Sequence, residues 1–376
     1  MVWSRLDRDL MARAIKLARK GQYTTQPNPC VGCVIYRDEQ IVGEGYHIAA
    51  GGPHAEVHAL RMAGEAAKGA TAYVTLEPCS HYGRTPPCAE ALIRAKVERV
   101  VVAVTDPNPQ VSGRGIKMLQ GAGIQVDVGL DEDEAAALNP GFMKRMATAL
   151  PWVSIKLAAS LDGKTALSNG VSKWITGAPA RRDVQRMRAR HDAIITGIET
   201  VLADDPSLNV RIEELGTVQK SVPAELIKQP LRVVLDSKAR LGTDAKLFSV
   251  ASPILLVSTQ AYPKSVSASW PEQVSELQLE TLDGRVPLLA LLEHLGQSCN
   301  SVMIEAGATL AGAFIAAGLA DELVLYQAPK ILGGHGRNLL SLPDYQTMVQ
   351  LPSLVLKEQR KLGQDMRFTF DLTAGS

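Results

Sequence analysis

The 376-residue chain is poor in aromatic residues, at 5%, has only five cysteines, and carries almost no net charge, with 40 Lys and Arg against 39 Asp and Glu. Each shortage excludes something. A net charge of +1 with no basic, aromatic-rich stripe gives no reason to expect nucleic acid or an anionic membrane as partner, so an anionic ligand must be met by local groups. No apolar run approaches the ~18 residues that would span a bilayer. The opening MVWSRLDRDLMARAIKLARKG is charged throughout and lacks a signal peptide's apolar core. A soluble cytoplasmic protein is expected. An odd number of cysteines in a long chain fits reduced thiols or metal ligands better than a disulfide framework. The second half has no G-x-G-x-x-G after a strand, so a Rossmann dinucleotide fold is not supported.

A chain of this length is too long for one comfortable core, and two domains are expected. Leu6, Leu10, Ile15, Leu17 and Ala18 fall near helical spacing and predict a first helix ending at Gly21. CVGCVIYRD and QIVGEGYH predict a hairpin, and TAYVTLEP and RVVVAVTD predict later strands. HAEVHALRMAG and PCAEALIRAKV are the helices between them. The order is that of an α/β sandwich with crossover helices. From about Leu130 the pattern gives way to the charged, alanine-rich DEDEAAALNPGFMKRMATALPW, then a new series begins at VSIKLAAS; we place the domains at residues 1–149 and 150–376. The second series predicts a helix at ARRDVQRMRAR and strands at DAIITG, LRVVLDS and PILLVST. It continues with a helix at VPLLALLEHLG, a strand at SVMIEAG, a helix at ATLAGAFIAAGLA and a strand at DELVLYQAPKIL. Residues 213–229 read as a polar loop, and MRFTFDL as an added edge strand. There is no internal repeat.

Catalytic zinc takes three protein ligands and keeps one position open for water. His54 at the start of a helix, with Cys79 and Cys88 framing PCSHYGRTPPC after a strand, supplies an imidazole and two thiolates. Zinc nucleobase deaminases use this layout, His-x-Glu followed by Pro-Cys and a second Cys, with the glutamate moving protons rather than binding metal. Here the cysteines are separated by eight residues instead of two. His58, one turn after His54, is a competing donor, but the H-E-x-x-H order of metalloproteases is absent, and a structural role is expected. Cys30 and Cys33 form a C-x-x-C, yet residues three apart on a strand point to opposite faces, so they are read as apolar packing residues. Two other readings compete. A nucleic-acid-editing deaminase is disfavoured by the charge balance, and a purely structural zinc protein would not need the acid at Glu56.

TQPNPCVGCVI, GPHAE, YVTLEPCSHYGRTPPC and VTDPNPQVSGRG closely resemble the deaminase half of the bifunctional deaminase/reductase family of riboflavin biosynthesis, to which the longer Cys-to-Cys gap belongs. KLAASLDGKTA, SKWITG, RARHDAIITGIETVLADDPSLNVR and LDS resemble its reductase half in order; a departure is EAGATLAG, where relatives more often carry two glycines or Cys-Gly after the glutamate. The resemblance implies a cytidine-deaminase-like α/β/α sandwich followed by a dihydrofolate-reductase-like α/β domain. It implies zinc and NADPH as cofactors, a small phosphorylated pyrimidine as substrate, and a homo-oligomer, dimer or tetramer. Two reactions are implied: hydrolytic deamination of 2,5-diamino-6-ribosylamino-4(3H)-pyrimidinone 5′-phosphate, then reduction of the ribosyl group of the resulting aminouracil to ribityl.

The residues take roles accordingly. His54, Cys79 and Cys88 would hold zinc and Glu56 would relay protons. Asn28 resembles the family's ring-binding asparagine, and His47, His81 and Arg84 resemble its ribose-phosphate contacts. In the second half, Lys156 and Asp204 are the candidates for polarising or protonating the sugar carbonyl. Ser172, Arg188, Leu208, Arg211 and Glu305 resemble the substrate contacts, with Arg188 and Arg211 as phosphate clamps. Ala158, Trp174, Thr200, Asp204, Ser237 and the run Gly307, Ala308, Thr309, Leu310, Ala311 and Gly312 resemble the cofactor contacts. That run would set backbone N–H groups and a positive helix end near the cofactor phosphates.

Overall fold

A computed structural model describes residues 2–82, 86–109 and 111–373. The chain divides into two compact units, Met1–Leu150 and Pro151–Ser376.

The first unit runs α1 (Arg5–Ala18), β1 (Gly32–Arg37), β2 (Gln40–Tyr46), α2 (Ala55–Ala63), β3 (Thr71–Val74), α3 (Cys88–Arg94), β4 (Arg99–Val102), α4 (Arg114–Gly121), β5 (Gln125–Val128), α5 (Glu132–Ala136) and α6 (Pro140–Thr148). α1 starts with a capping box in which Ser4 Oγ accepts from Asp7 N at 3.0 Å and Asp7 accepts from Ser4 N at 3.1 Å. The sheet order is β2-β1-β3-β4-β5. β1 pairs antiparallel with β2 and β3, and β3, β4 and β5 are parallel. Because successive side chains alternate, each strand feeds two cores. Cys33, Ile35, Val100 and Val102 pack with α2, α3 and α4 through Ala55, Ala59, Leu92 and Leu119. Val34, Tyr73 and Val101 pack with α1 and α5 through Leu10, Met11, Ala14 and Ala135. Hence the three-layer sandwich, in which apolar strands covered on both faces run nearly continuously hydrophobic. β5 and α4 were not expected, because QVDV is too short and polar to show a strand pattern. The charged stretch after Leu130 forms α5 and α6, packed on the sheet through Ala135, Phe142 and Met143.

The second unit runs β6 (Trp152–Ala159), β7 (Lys164–Ala166), α7 (Ala178–Arg188), β8 (Ala193–Gly197), α8 (Ile198–Asp204), β9 (Leu231–Leu235), β10 (Ile254–Ser258), α9 (Lys264–Ser267), β11 (Val274–Gln278), α10 (Leu288–Gly296), β12 (Ser301–Ile304), α11 (Ala308–Ala316), β13 (Glu322–Gln327), β14 (Arg337–Asn338), β15 (Ser353–Leu362) and β16 (Asp365–Thr373). The main sheet is ordered β11-β10-β9-β8-β12-β6-β13-β16-β15, and β14 pairs with β7 separately. From β11 to β13 every pairing is parallel; β16 and β15 are added antiparallel. MRFTFDL is therefore not the edge strand expected. It lies in β16, one strand in, and the edge is β15, whose KEQRK run hides any alternation and whose side chains are exposed almost throughout. Residues 213–229 are irregular apart from short 3₁₀ turns, as expected of a loop. No helix among the described residues is long and apolar enough to cross a membrane.

Candidate active sites

In the first unit the site is assembled at the starts of α2 and α3. Gly45 of β2 lies directly under α2: a Cβ there would sit 2.3 Å from the Ala55 carbonyl oxygen and 2.6 Å from Ala59 N. Only glycine allows that approach, which seats the start of α2, with His54 at its N-cap, against the sheet. Cys88 opens α3 after two prolines, the second being its N-cap. Cys79 follows β3, and the Cys88 N–H reaches its sulfur at 3.3 Å. His54 Nδ1 is 3.6 Å from Cys79 Sγ and 3.3 Å from Cys88 Sγ, and the three donor atoms lie within 4.8 Å of one another. A hydrogen bond between the two thiols draws Cys79 down to about 4 and pushes Cys88 up: of two adjacent thiols one ionises first. The donor set, one imidazole and two sulfurs with no fourth protein ligand in the cluster among the described residues, fits catalytic zinc.

Glu56, in the first turn of α2, is 3% exposed, and its Oε2 has no hydrogen-bond partner. Burial raises its carboxyl above the ordinary range, with the Cys79 charge adding to the effect. His47 Nδ1 meets the Pro53 carbonyl at 3.0 Å, so that nitrogen carries the proton; Nε2 then accepts from Asn28 Nδ2 at 3.1 Å. Burial lowers the His47 pKa. The His47 and His54 rings meet edge to face with centroids 5.5 Å apart, so Asn28 and His47 border the donor cluster. His58 is outside the cluster, as expected of a structural residue. His81 is exposed. Arg84 lies outside the described residues. Cys30 precedes β1 rather than lying in it, its N–H held by Asn139 Oδ1 at 2.6 Å; Cys33 is fully buried in the core, and neither joins the cluster.

One residue that positions the site was not expected. Glu77 is buried two positions before Cys79, and its carboxylate accepts four backbone N–H groups: Asp106 at 3.2 Å, Gly113 at 2.9 Å, Gly115 at 2.9 Å and Ile116 at 3.3 Å. It thereby ties the Cys79 segment to the loop after β4 and the N-terminal turn of α4.

In the second unit a cleft of about 1850 Å³ opens at the carboxyl ends of β8, β9 and β12, the usual ligand side of a parallel sheet. Lys156, Ala158, Ser172, Trp174, Arg188 and Thr200 all line it. So do Asp204, Arg211, Ser237, Glu305 and the Gly307–Leu310 stretch at the start of α11. Leu208, Ala311 and Gly312 are not among its lining residues. Leu208 has a left-handed backbone, φ 52°, and its side chain packs in the core with Met187 and Met303. Ala311 is fully buried, and a Cβ on Gly312 would sit 2.0 Å from the Ser341 carbonyl oxygen: these two positions seat α11.

The two arginines already have carboxylate partners. Arg188 is buried, and its Nη1 donates to the Asn209 carbonyl at 2.8 Å while its other nitrogens grip Glu305. Lys156 Nζ stands 3.7 Å from the same carboxylate. Burial alone would raise the Glu305 carboxyl, but Arg188 and Lys156 overcome it and hold the pKa at about 2. Arg211 makes a fork to Glu214 at 2.6 and 3.1 Å, with 40% of its side chain exposed. Arg181, not expected at the site, lines the cleft and lies 4.5 Å over the Trp174 ring.

Comparison with known proteins agrees with both halves. Residues 4–104 match the cytidine and deoxycytidylate deaminase zinc-binding region, and residues 151–368 match the RibD C-terminal domain. The chain is 53% identical to riboflavin biosynthesis protein RibD of Escherichia coli K12 over 96% of its own length and 98% of that protein's. It is 50% identical to the protein of the same name from Haemophilus influenzae, over 96% of each. Among solved structures, Acinetobacter baumannii RibD superposes with a TM-score of 0.88 at 47% identity, covering 98% of this chain and 99% of that one. A Thermotoga maritima diaminohydroxyphosphoribosylaminopyrimidine deaminase/5-amino-6-(5-phosphoribosylamino)uracil reductase gives 0.85 at 31% identity, with the same coverage. The expected fold classes, a cytidine-deaminase-like sandwich and then a dihydrofolate-reductase-like domain, are borne out. The chain belongs to the RibD family of bifunctional riboflavin-biosynthesis enzymes, a zinc-dependent pyrimidine deaminase joined to an NADPH-dependent reductase.

Proposed function

We propose that the chain deaminates the diaminopyrimidinone ribosyl phosphate at the His54–Cys79–Cys88 site and reduces the ribosyl group of the product in the cleft of its second unit. The observation that carries the first step is the convergence of three metal donors beside a buried carboxylate oxygen that has no partner. When bound, zinc makes water a nucleophile near neutral pH, and NADPH supplies the reducing equivalents.

Glu56 is the proton carrier. A carboxyl whose pKa is raised by burial takes a proton from water readily and can return it to a ring nitrogen and then to departing ammonia. Asn28 orients the pyrimidine: with one N–H given to His47 Nε2, its Oδ1 and remaining N–H present a paired acceptor and donor to the ring. His81 and Arg84 hold the ribose phosphate, while His47, both of whose ring nitrogens are engaged, holds Asn28 in place. In the cleft, Arg188 and Glu305 form part of the wall that meets the substrate, and Lys156 and Asp204 act on the carbonyl of its ring-opened sugar. Arg211, with its half-exposed fork, exchanges Glu214 for the substrate phosphate. Ser172 completes the substrate contacts in the cleft. Ala158, Trp174, Thr200, Ser237 and the 307–310 stretch bind the cofactor.

Supplying the diaminopyrimidinone phosphate with and without NADPH, while following ammonia release and loss of nicotinamide absorbance, tests both steps. Ammonia should appear without NADPH, and absorbance should fall only after it. Absorbance loss with no ammonia release would overturn the order. We further propose a cytoplasmic homo-oligomer, dimer or tetramer. The ten-residue exposed edge of β15 supports self-association, since an open strand edge invites pairing; light scattering in solution tests it.

A further inference from the structure

Asn28 stands between two prolines. Pro27 and Pro29 have no N–H, so the loop that carries Asn28 offers few main-chain donors by which it can be fixed. Asn28 N donates to the Thr25 carbonyl at 2.7 Å, and the next donor along the chain is Cys30 N. Cys30 is buried and lies two residues before β1, whose ladder with β2 begins at Gly32. A buried peptide outside a ladder must find its partners elsewhere.

Both partners come from one side chain. Asn139 Oδ1 accepts from Cys30 N at 2.6 Å, and Asn139 Nδ2 donates to the Cys30 carbonyl at 2.8 Å. A primary amide thus makes the pair of bonds that an adjacent antiparallel strand would make. Asn139 is the N-cap of α6, a position where asparagine ordinarily turns its oxygen onto the first N–H groups of its own helix. Among the described residues it makes no such capping bond. Pro140 removes one of those N–H groups, and the first turn of α6 closes through Met143 N on the Asn139 carbonyl at 2.9 Å. The side chain is left to a segment 109 positions earlier.

The clamped peptide joins two contacts with His47. On its N-terminal side Asn28 Nδ2 meets His47 Nε2 at 3.1 Å; on its C-terminal side the Val31 carbonyl accepts from His47 N at 2.9 Å. The Thr25 hydroxyl lies 3.4 Å from Cys30 Sγ and ties the near end of the loop to the same residue. Residues 25–31 are therefore held from α6 at Cys30 and from the end of β2 at Val31.

We propose that Asn139 is a positioning residue for the deamination: by clamping the Cys30 peptide it fixes the place at which Asn28 presents its amide to the pyrimidine. This rests on the reading of Asn28 as the ring-orienting residue. Without the clamp the Cys30 N–H and carbonyl turn to water, and the proline-flanked loop moves with them. The zinc donors are carried by other segments, the starts of α2 and α3 and the chain after β3, and stay in place.

Ammonia-release kinetics, zinc analysis and amide hydrogen exchange on the full-length protein test this. Asn28→Ala should raise KM for the diaminopyrimidinone phosphate by about tenfold or more. Asn139→Ala should raise it by a comparable factor, with one zinc retained per chain and kcat within about threefold of the parent. In the double variant the second substitution should add less than about twofold, because both act through one contact. An unchanged KM in Asn139→Ala, effects that multiply in the double variant, or zinc lost together with activity would overturn the positioning role. A parent-like KM in Asn28→Ala would overturn the ring-orienting reading, and the role of Asn139 with it. The unmodified protein supplies a check that needs no variant to fold. The Cys30 amide, although outside β1, should exchange within about tenfold as slowly as the amides of β1. Exchange at the rate of an open loop would overturn the clamp.

Discussion

Arg188 and Glu305 face each other fork to fork, Nε to Oε2 at 2.9 Å and Nη2 to Oε1 at 2.8 Å, in the wall of the reductase cleft. The pair is both a binding surface and part of the fold, because Arg188 is buried in α7 and Glu305 follows β12. Arg211 differs: its partner Glu214 is three residues away and both are substantially exposed.

Replacing either arginine by lysine therefore has separable effects. Lysine keeps the charge but cannot make the bidentate contact. Arg188→Lys should cost about 1–3 kcal/mol of denaturant stability with no ligand present. Arg211→Lys should leave stability within about 0.5 kcal/mol, since exposed pairs contribute little, yet weaken the phosphorylated aminouracil by about tenfold or more. Chemical denaturation and substrate titration on both variants check this. Equal stability losses would show that burial does not distinguish the two sites.

The same pair makes stability depend on pH. Glu305 is lowered from an ordinary 4.5 to about 2, so the folded state holds the carboxylate more strongly than the unfolded chain does. Its contribution is fully present above about pH 4.5 and disappears as pH falls through about 2. At roughly 1.4 kcal/mol per pKa unit this is on the order of 3 kcal/mol. Glu305→Gln should be less stable than the parent at neutral pH, with the gap narrowing steadily from pH 5 to pH 2 in urea titrations. A gap that does not change over that range would mean the carboxylate is not held by Arg188 and Lys156.

Much of the deaminase site was legible because metal chemistry restricts residue type. His and Cys are common zinc donors, and His54 and Cys88 stand at the starts of helices whose periodicity is visible, with Cys79 following a β-rich run. What could not be read was the support beneath them. Glu77 is printed in the same motif as Cys79, but the N–H groups it gathers belong to residues 29 to 39 positions later, and a backbone donor leaves no mark in a sequence. The Arg188–Glu305 pair was hidden for the same reason: the residues were singled out separately, 117 positions apart, as substrate contacts. β15 was hidden by its own exposure, since a strand covered on neither face has no pattern to keep.

Two substitutions separate metal binding from proton transfer in the first unit. Cys79→Ser removes one of three donors and should abolish zinc binding, measured by metal analysis, together with ammonia release. Glu56→Gln leaves the donors untouched and preserves volume. It should retain one zinc per chain and lose turnover by ~10²–10⁴. Turnover within a few-fold of the parent would remove Glu56 from the mechanism, and full zinc occupancy in the serine variant would remove Cys79 from the ligand set.

The packing behind the metal donors can be tested without touching them. Gly115, in the first turn of α4, gives its N–H to Glu77 at 2.9 Å, and a Cβ there would lie 2.0 Å from the Pro78 carbonyl oxygen. Both obstacles are fixed: one is backbone, the other a carboxylate held by four N–H groups. Gly115→Ala must push α4 away or shift Pro78, and Pro78 carries Cys79 with it. The expected cost is about 1–3 kcal/mol of stability. A supporting group displaced next to a ligand should also weaken zinc by about 10- to 100-fold. Gly121, the last residue of the same helix, meets nothing within 4 Å. Gly121→Ala should therefore be neutral or stabilising by up to about 1 kcal/mol, because it removes backbone freedom from the unfolded chain. Chelator competition and denaturation of the two variants side by side give the answer. If Gly115→Ala binds zinc as Gly121→Ala does, the close seat of α4 on Pro78 does not position Cys79, and Glu77 alone must hold the ligand segment in place.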